Sequence, residues 1–168
     1  MPKEPAFDSS FDIEAVDPRS PEAALLIRAL SEELARRYDF TEDGSGNFRP
    51  EDVLGARAGF VIGRTAGKAV ACGAFRPMEP GVAEIKRMFV MPEHRGRGYS
   101  KAVLAELERG AWEAGYATVR LETGDRQPEA IGLYRRAGYR RIPNFGIYKD
   151  IGSSLCFEKQ IAPAMGLL

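Results

Sequence analysis

Two glycines one residue apart, in Arg95-Gly96-Arg97-Gly98-Tyr99-Ser100, stand where an apolar run ending Val90-Met91-Pro92 gives way to a helical pattern that reaches about Gly115. A strand must turn there directly into a helix start. Gly96 and Gly98 have no Cβ to block a close approach, and the first amides of the helix have no partner within it, so several N–H groups can converge on one anion. Arg95 and Arg97 add positive charge. A hydrogen bond to a charged group contributes roughly 1.5–3 kcal/mol, against about 0.3–1 kcal/mol for an exposed helix dipole. Aimed amides therefore dominate, and a phosphate-bearing ligand is expected. Two familiar phosphate motifs fail on counting. No Gly-Lys-Ser/Thr follows a glycine at the P-loop spacing, and the dinucleotide pattern G-x-G-x-x-G needs glycine where Lys101 stands.

The remaining punctuation predicts a single α/β domain. Residues 1–10, with Pro2, Pro5 and Ser9-Ser10, read as a flexible lead-in. A short strand follows at about Phe11–Val16. Ser20-Pro21 is a helix start, and Leu26, Leu30 and Leu34 recur at helical spacing up to Tyr38. Residues 41–47 are a loop, and Pro50 begins a shorter helix near Glu51–Ala56. Gly59–Arg64 and Lys68–Phe75 flank Thr65-Ala66-Gly67 as a hairpin. Glu84–Val90 is the next strand, but its apolar residues do not alternate: Ile85 and Phe89 share one parity, Met88 and Val90 the other. A β-bulge or a strand buried on both faces would account for this. Val103, Leu104, Leu107 and Ala111 mark the core side of the helix ending at Gly115. Thr118–Glu122 is a strand, Pro128–Ala137 a helix closed by Gly138, and two strands end the domain near Tyr139–Ile142 and Ser154–Lys159. Residues 11–160 thus form the domain and 161–168 a tail.

Composition narrows the function. Lys plus Arg number 24 and Asp plus Glu 24, so no net field recruits nucleic acid or an anionic membrane. His94, expected to be exposed, is the single histidine, and Cys72 and Cys156 lie in apolar runs. No metal site is expected, and the thiols suit a reducing cytoplasm. The opening MPKEPAFDSSF shows neither a basic n-region nor an apolar stretch, and no run approaches about 18 apolar residues. A cytoplasmic protein, monomer or homodimer, is expected.

The segments EIKRMFVMPEHRGRGYSKAVL, residues 84–104, and AIGLYRRAGY, residues 130–139, together resemble the two signature segments of the GNAT superfamily of acyl-CoA N-acyltransferases. The family pattern Arg/Gln-x-x-Gly-x-Gly/Ala stands here as Arg95-x-x-Gly98-x-Ser100. The resemblance implies an α/β (α+β) domain with a mixed, mostly antiparallel sheet of about six or seven strands and about four helices, splayed at the fourth and fifth strands. It implies acetyl-CoA as cosubstrate, its pyrophosphate on the amides of Arg95, Gly96, Arg97, Gly98, Tyr99 and Ser100. Its pantetheine would pair like an added strand with Met88, Phe89 and Val90. Ser100 departs from the usual Gly or Ala but is small. Gln127 stands where the family often has Asn, three residues before Ala130, and is carried over as a cofactor contact with Ala130.

Acetyl transfer to an amine needs a neutral nucleophile, a polarised carbonyl and a donor for the departing thiolate. By resemblance Tyr134 is that donor, touching the coenzyme sulfur, and an N–H near Phe89 or Val90 polarises the carbonyl. Glu84 is the first choice of base and Glu122, on the facing strand, the second. Direct transfer needs no protein nucleophile, which leaves Cys156 a core thiol. Paired arginines at 135–136 and 140–141 read as a solvated face. The acceptor pocket is expected to draw on residues 41–48, ending at Phe48, and on Phe145, Tyr148 and Cys156. The expected acceptor is a primary amine of a small molecule or an amino-acid-like compound. The alternatives are a protein or peptide acceptor, Lys or N-terminal, and a non-catalytic acyl-CoA sensor.

Overall fold

A computed structural model describes residues 7–38 and 47–161. Its strands are β1 (Asp12–Ala15), β2 (Gly59–Thr65), β3 (Lys68–Glu79), β4 (Val82–Val90), β5 (Thr118–Gly124), β6 (Arg140–Ile142) and β7 (Ser154–Gln160). The helices are α1 (Pro21–Tyr38), α2 (Tyr99–Glu113) and α3 (Pro128–Arg136). One seven-stranded sheet runs in the order β1-β2-β3-β4-β5-β7-β6. Every neighbouring pair is antiparallel except β4 and β5, which are parallel. The mixed, mostly antiparallel sheet is the one expected.

Local chemistry explains the boundaries. Pro21 opens α1, and the Ser20 hydroxyl accepts a long 3.4 Å bond from the Ala23 amide. The β2–β3 hairpin turns through Ala66 and Gly67, both at positive φ (49° and 78°), the two-residue turn whose twist matches the strands. The helix expected near Glu51–Ala56 is a single 3₁₀ turn at Pro50–Val53. Gly55 follows at φ 115°, a backbone no helix can continue through. β3 runs past Phe75 to Glu79 and β4 starts at Val82, reversing at Gly81. Residues 7–10 of the expected lead-in are tied down. The Asp8 carboxylate accepts from the Tyr99 hydroxyl at 2.7 Å and the Thr65 hydroxyl at 2.8 Å, and Phe7 sets its edge against Phe11 and Tyr99. The Ser10 hydroxyl bond above all, and then those from Tyr99 and Thr65, hold the Asp8 carboxyl well below the usual range. Residues 1–6, the loop at 41–46 and the tail at 162–168 lie outside the described residues.

The sheet separates two apolar clusters. α2 and α3 cover one face, where Val103, Leu107, Tyr99, Leu133 and Tyr134 meet Ala83, Ile85, Val119 and Leu121. α1 covers the other, where Leu26 and Leu30 meet Phe60, Ile62, Cys72 and Phe89. The irregular parity of β4 resolves as a bulge. Cys72 pairs with Phe89 but Ala74 with Lys86, so Gly73 alone faces both Arg87 and Met88. Arg87 takes φ 59°. One extra residue reverses the alternation: Ala83 and Ile85 before it, and Met88 and Val90 after it, all point to the α2/α3 face. Glu84, Lys86 and Phe89 are left for the α1 face. The bulge displaces the Arg87 carbonyl from the ladder, and the Cys72 thiol donates to it at 3.3 Å.

Candidate active site

β4 and β5 pair at three positions, Val82 with Thr118, Ala83 with Val119 and Glu84 with Arg120, and then part. From Ile85 onward β4 is bonded to β3 but presents its other edge to a cleft of about 1390 Å³. The bulge at Arg87 lies on this edge, just beyond the last pair with β5, and a bulge of this kind increases local strand twist. A sheet interior thus contains a gap with backbone N–H and C=O groups on its rim.

At its upper end the cleft reaches the glycine turn. Gly96 and Gly98 take φ 77° and 83°, and Gly98 is the residue at which α2 starts, with no side chain capping it. A Cβ on Gly96 would meet nothing within 4 Å, and the turn borders the cleft. Gly96, Gly98, Tyr99 and Ser100 line it, as do Met88, Phe89 and Val90 below. The turn and the β4 edge that faces the cleft suit a long ligand with a phosphate at one end and amides along its arm. The arginines behave differently from the sequence expectation. The Arg95 guanidinium turns inward, donating to the Val90 carbonyl at 2.9 Å and pairing with Glu33 of α1 at 2.8 Å. It fixes the end of β4 against α1, leaving its backbone to the turn. Arg97 is exposed and reaches the Glu93 carbonyl at 3.5 Å.

Across the gap, Gln127 precedes α3, and Ala130 and Tyr134 line the cleft from that helix. Tyr134 is 5% exposed, its ring edge-on to Tyr139 at 5.7 Å. Burial, and after it the charge of Glu122, pushes its phenol well above the ordinary value. The two candidate bases are separated by their surroundings. Glu84 is 6% exposed and its carboxylate is bound by Arg76 Nε at 2.9 Å. Arg76 holds Asp52 as well, at 3.0 Å, and the group lines a second cavity of about 540 Å³ near Phe48. Glu122 lines the large cleft, and burial raises its carboxyl above the ordinary value, with Ser154 and Lys86 opposing. Glu84 therefore faces the smaller cavity and Glu122 the larger cleft.

Alternation places these groups on opposite sides of the sheet. Val119 and Leu121 point to the α2/α3 face, where Tyr134 lies; Glu122 and Gly124 therefore point to the α1 face, as Lys86 does. The gap joins the two. Lys86 Nζ donates to the Tyr148 hydroxyl at 2.8 Å, and burial lowers its ammonium pKa while Glu84 and Glu122 oppose the shift. Burial likewise raises the Tyr148 phenol well above its usual range.

Of the residues expected around the acceptor, Tyr148 lines the large cleft, but Phe48 lines the smaller cavity. Phe145 packs edge-on behind Tyr148 at 5.7 Å, and Cys156 is fully buried in β7. Burial raises both thiols, Cys72 to about 12, which suits core packing rather than nucleophilic attack. Sequence reading missed Lys86 and Tyr38. Lys86 had a signal, a charge inside the apolar run Glu84–Val90; Tyr38, a helix-end tyrosine, had none. Among the described residues no cluster of His, Cys, Asp and Glu could hold a metal, and no helix is long and apolar enough to cross a membrane.

A parted parallel strand pair, a bulged edge facing the cleft and a glycine turn at a helix start define an acyl-CoA N-acyltransferase fold. The chain belongs to the acetyltransferase (GNAT) family, whose model matches residues 25–139. A crystal structure from Klebsiella pneumoniae, assigned as an acyl-CoA N-acyltransferase, is similar with a TM-score of 0.76 and 32% identity, covering 92% of this chain and 99% of that one. A GNAT acetyltransferase from Elizabethkingia anophelis with acetyl-CoA bound shares the fold at a TM-score of 0.66 and 15% identity, covering 91% and 99%. An IAA acetyltransferase of Azospirillum brasilense is 39% identical over 103 residues, 61% of this chain and 67% of its own length. An N-acetyltransferase family 8 member 2 of Rattus norvegicus is 31% identical over 100 residues, 56% of this chain and 44% of its own length. The chain thus spans less than half the length of this last relative.

Proposed function

We propose that this protein transfers the acetyl group of acetyl-CoA directly to a primary amine of a small-molecule or amino-acid-like acceptor. The observation that carries the reading is the gap between β4 and β5, with Tyr134 on one face of the sheet and Glu122 on the other. The amides from Gly96 to Ser100 hold the pyrophosphate, and Met88, Phe89 and Val90 pair with the pantetheine arm. Acetyl-CoA supplies an activated carbonyl. Tyr134 donates a hydrogen bond to the sulfur as negative charge develops on it. The N–H of Phe89 or Val90 polarises the carbonyl. Glu122, directly or through water, takes the proton of the attacking amine, and its raised pKa narrows the mismatch with an alkylammonium. Glu84 anchors Arg76 and the sheet end beneath.

The test is thiol release from acetyl-CoA across a panel of primary amines, paired with ligand-dependent melting for coenzyme A, acetyl-CoA and longer acyl-CoAs. Amine-dependent release with a raised melting temperature is expected. Stabilisation by acetyl-CoA without release for any amine makes the protein a sensor and overturns the transfer reading.

A further inference from the structure

The C-terminal end of α1 is bonded to the loop between β5 and α3, across the cleft. Arg37 Nη1 donates to the Arg126 carbonyl at 3.2 Å, and Arg126 Nη1 donates back to the Arg37 carbonyl at 3.0 Å. The Arg126 amide donates to the Tyr38 hydroxyl at 3.0 Å, and its guanidinium lies 5.6 Å from the centre of the Tyr38 ring. Arg37 also pairs with Glu129 at 3.6 Å. α1 belongs to one wall and the β5–α3 loop to the other, so these contacts form a clasp over the gap.

The clasp lies on the face where the amine must arrive. Gly124 points to the α1 face by the alternation that puts Glu122 there, and a Cβ on Gly124 would sit 1.7 Å from the Tyr38 hydroxyl. Tyr38 therefore rests directly on β5, two residues beyond Glu122. Glycine at 124 is what permits this. Below the clasp, Lys86 and Tyr148 close the far side of the same compartment. A polypeptide presenting a lysine must lay its backbone across the mouth of such a site, and here Arg37 and Tyr38 line the cleft, held in place by their bonds to Arg126. A compact amine needs no such path.

We infer that the Arg37–Tyr38–Arg126 clasp over Gly124 sets acceptor specificity, admitting compact amines and excluding polypeptide. This rests on the acetyl-transfer reading above and narrows its substrate class. The residues act by exclusion, so opening the clasp changes the ratio between acceptor classes rather than the chemistry.

The test compares kcat/KM for free amino acids, di- and polyamines and a lysine-bearing peptide, in the full chain and in Arg126→Ala and Tyr38→Ala. Both substitutions remove partly exposed contacts and leave the apolar clusters untouched. For the unaltered chain, small amines are expected to react and the peptide to stay near background. In the variants the peptide-to-small-amine ratio rises about tenfold or more, the scale of a lost steric discrimination. Gly124→Ala, which pushes Tyr38 off β5, gives a second route to the same opening. A wild-type peptide rate comparable with the best small amine, or a ratio unchanged in all three variants, overturns the clasp and leaves the acetyltransferase standing. If acetyl-CoA binds but no amine of either class releases thiol, the transfer reading falls and the clasp falls with it.

Discussion

Removing the Tyr134 hydroxyl separates chemistry from folding cleanly, because that oxygen makes no bond to a described residue while its ring packs on Tyr139 and Phe157. Tyr134→Phe keeps those ring contacts and orphans no partner, so stability should change by less than about 1 kcal/mol. A tyrosine near 10 facing a thiol near 8.5 already makes full proton transfer uphill by about 2 kcal/mol, and burial raises the phenol further. In the proposed transfer its contribution is therefore a hydrogen bond to a developing thiolate, worth roughly 1.5–3 kcal/mol. At about 1.4 kcal/mol per tenfold, kcat should fall about tenfold to a hundredfold. Affinity for acetyl-CoA should stay within about twofold, since the bond strengthens only as the sulfur gains charge. Steady-state thiol release gives kcat, and calorimetric titration with acetyl-CoA gives the affinity. Unchanged turnover would remove Tyr134 from the mechanism; a matching loss in affinity and kcat/KM with kcat intact would make it a binding residue.

Four further substitutions test other parts of the site and the packing beside it. Glu122→Gln should lower kcat by about 10²–10⁴-fold and abolish the acid limb of the pH profile. In the unaltered protein that limb climbs with pH through a carboxyl pKa raised above 4.5 and levels off above it, as a base active when deprotonated requires. Glu84→Gln should mainly weaken the Arg76 pair and lower Tm, and the reverse pattern in the two variants would restore Glu84 as the base. Gly98→Val forces a β-branched residue to φ 83°, costing about 1–2 kcal/mol in strain and disturbing the phosphate turn; calorimetry should show coenzyme A affinity down at least about tenfold. Gly73→Ala would set a Cβ 2.6 Å from Leu107 Cδ1 and 3.0 Å from Val103 Cγ1, overpacking β3 against α2 by about 1–3 kcal/mol; thermal unfolding should show Tm lowered by roughly 2–4 °C per kcal/mol.

Much of the fold, and the glycine turn at the end of β4, was legible because local chemistry dictates them. Gly96 and Gly98 at a strand-to-helix junction, Pro21 and Pro128 at helix starts, and Ala66-Gly67 between alternating runs act over a few residues and survive any tertiary setting. The broken parity of Glu84–Val90 was visible as well, with two explanations left open. Only pairing with β3 distinguishes them, since a bulge is a statement about two strands and not one.

The amino-acid order by itself determined the sequence of elements, the glycine turn and the family pattern, because each depends on backbone freedom and side-chain periodicity within a short stretch. Three-dimensional packing decided which groups share the cleft. Glu84 and Glu122 look alike in the chain, yet Arg76 claims one and the gap receives the other. Lys86 meets Tyr148, and Tyr38 meets Arg126, across distant segments because the sheet brings β4, β5 and the end of α1 to one face. Burial and charge partners act through space, so no local pattern could have specified them.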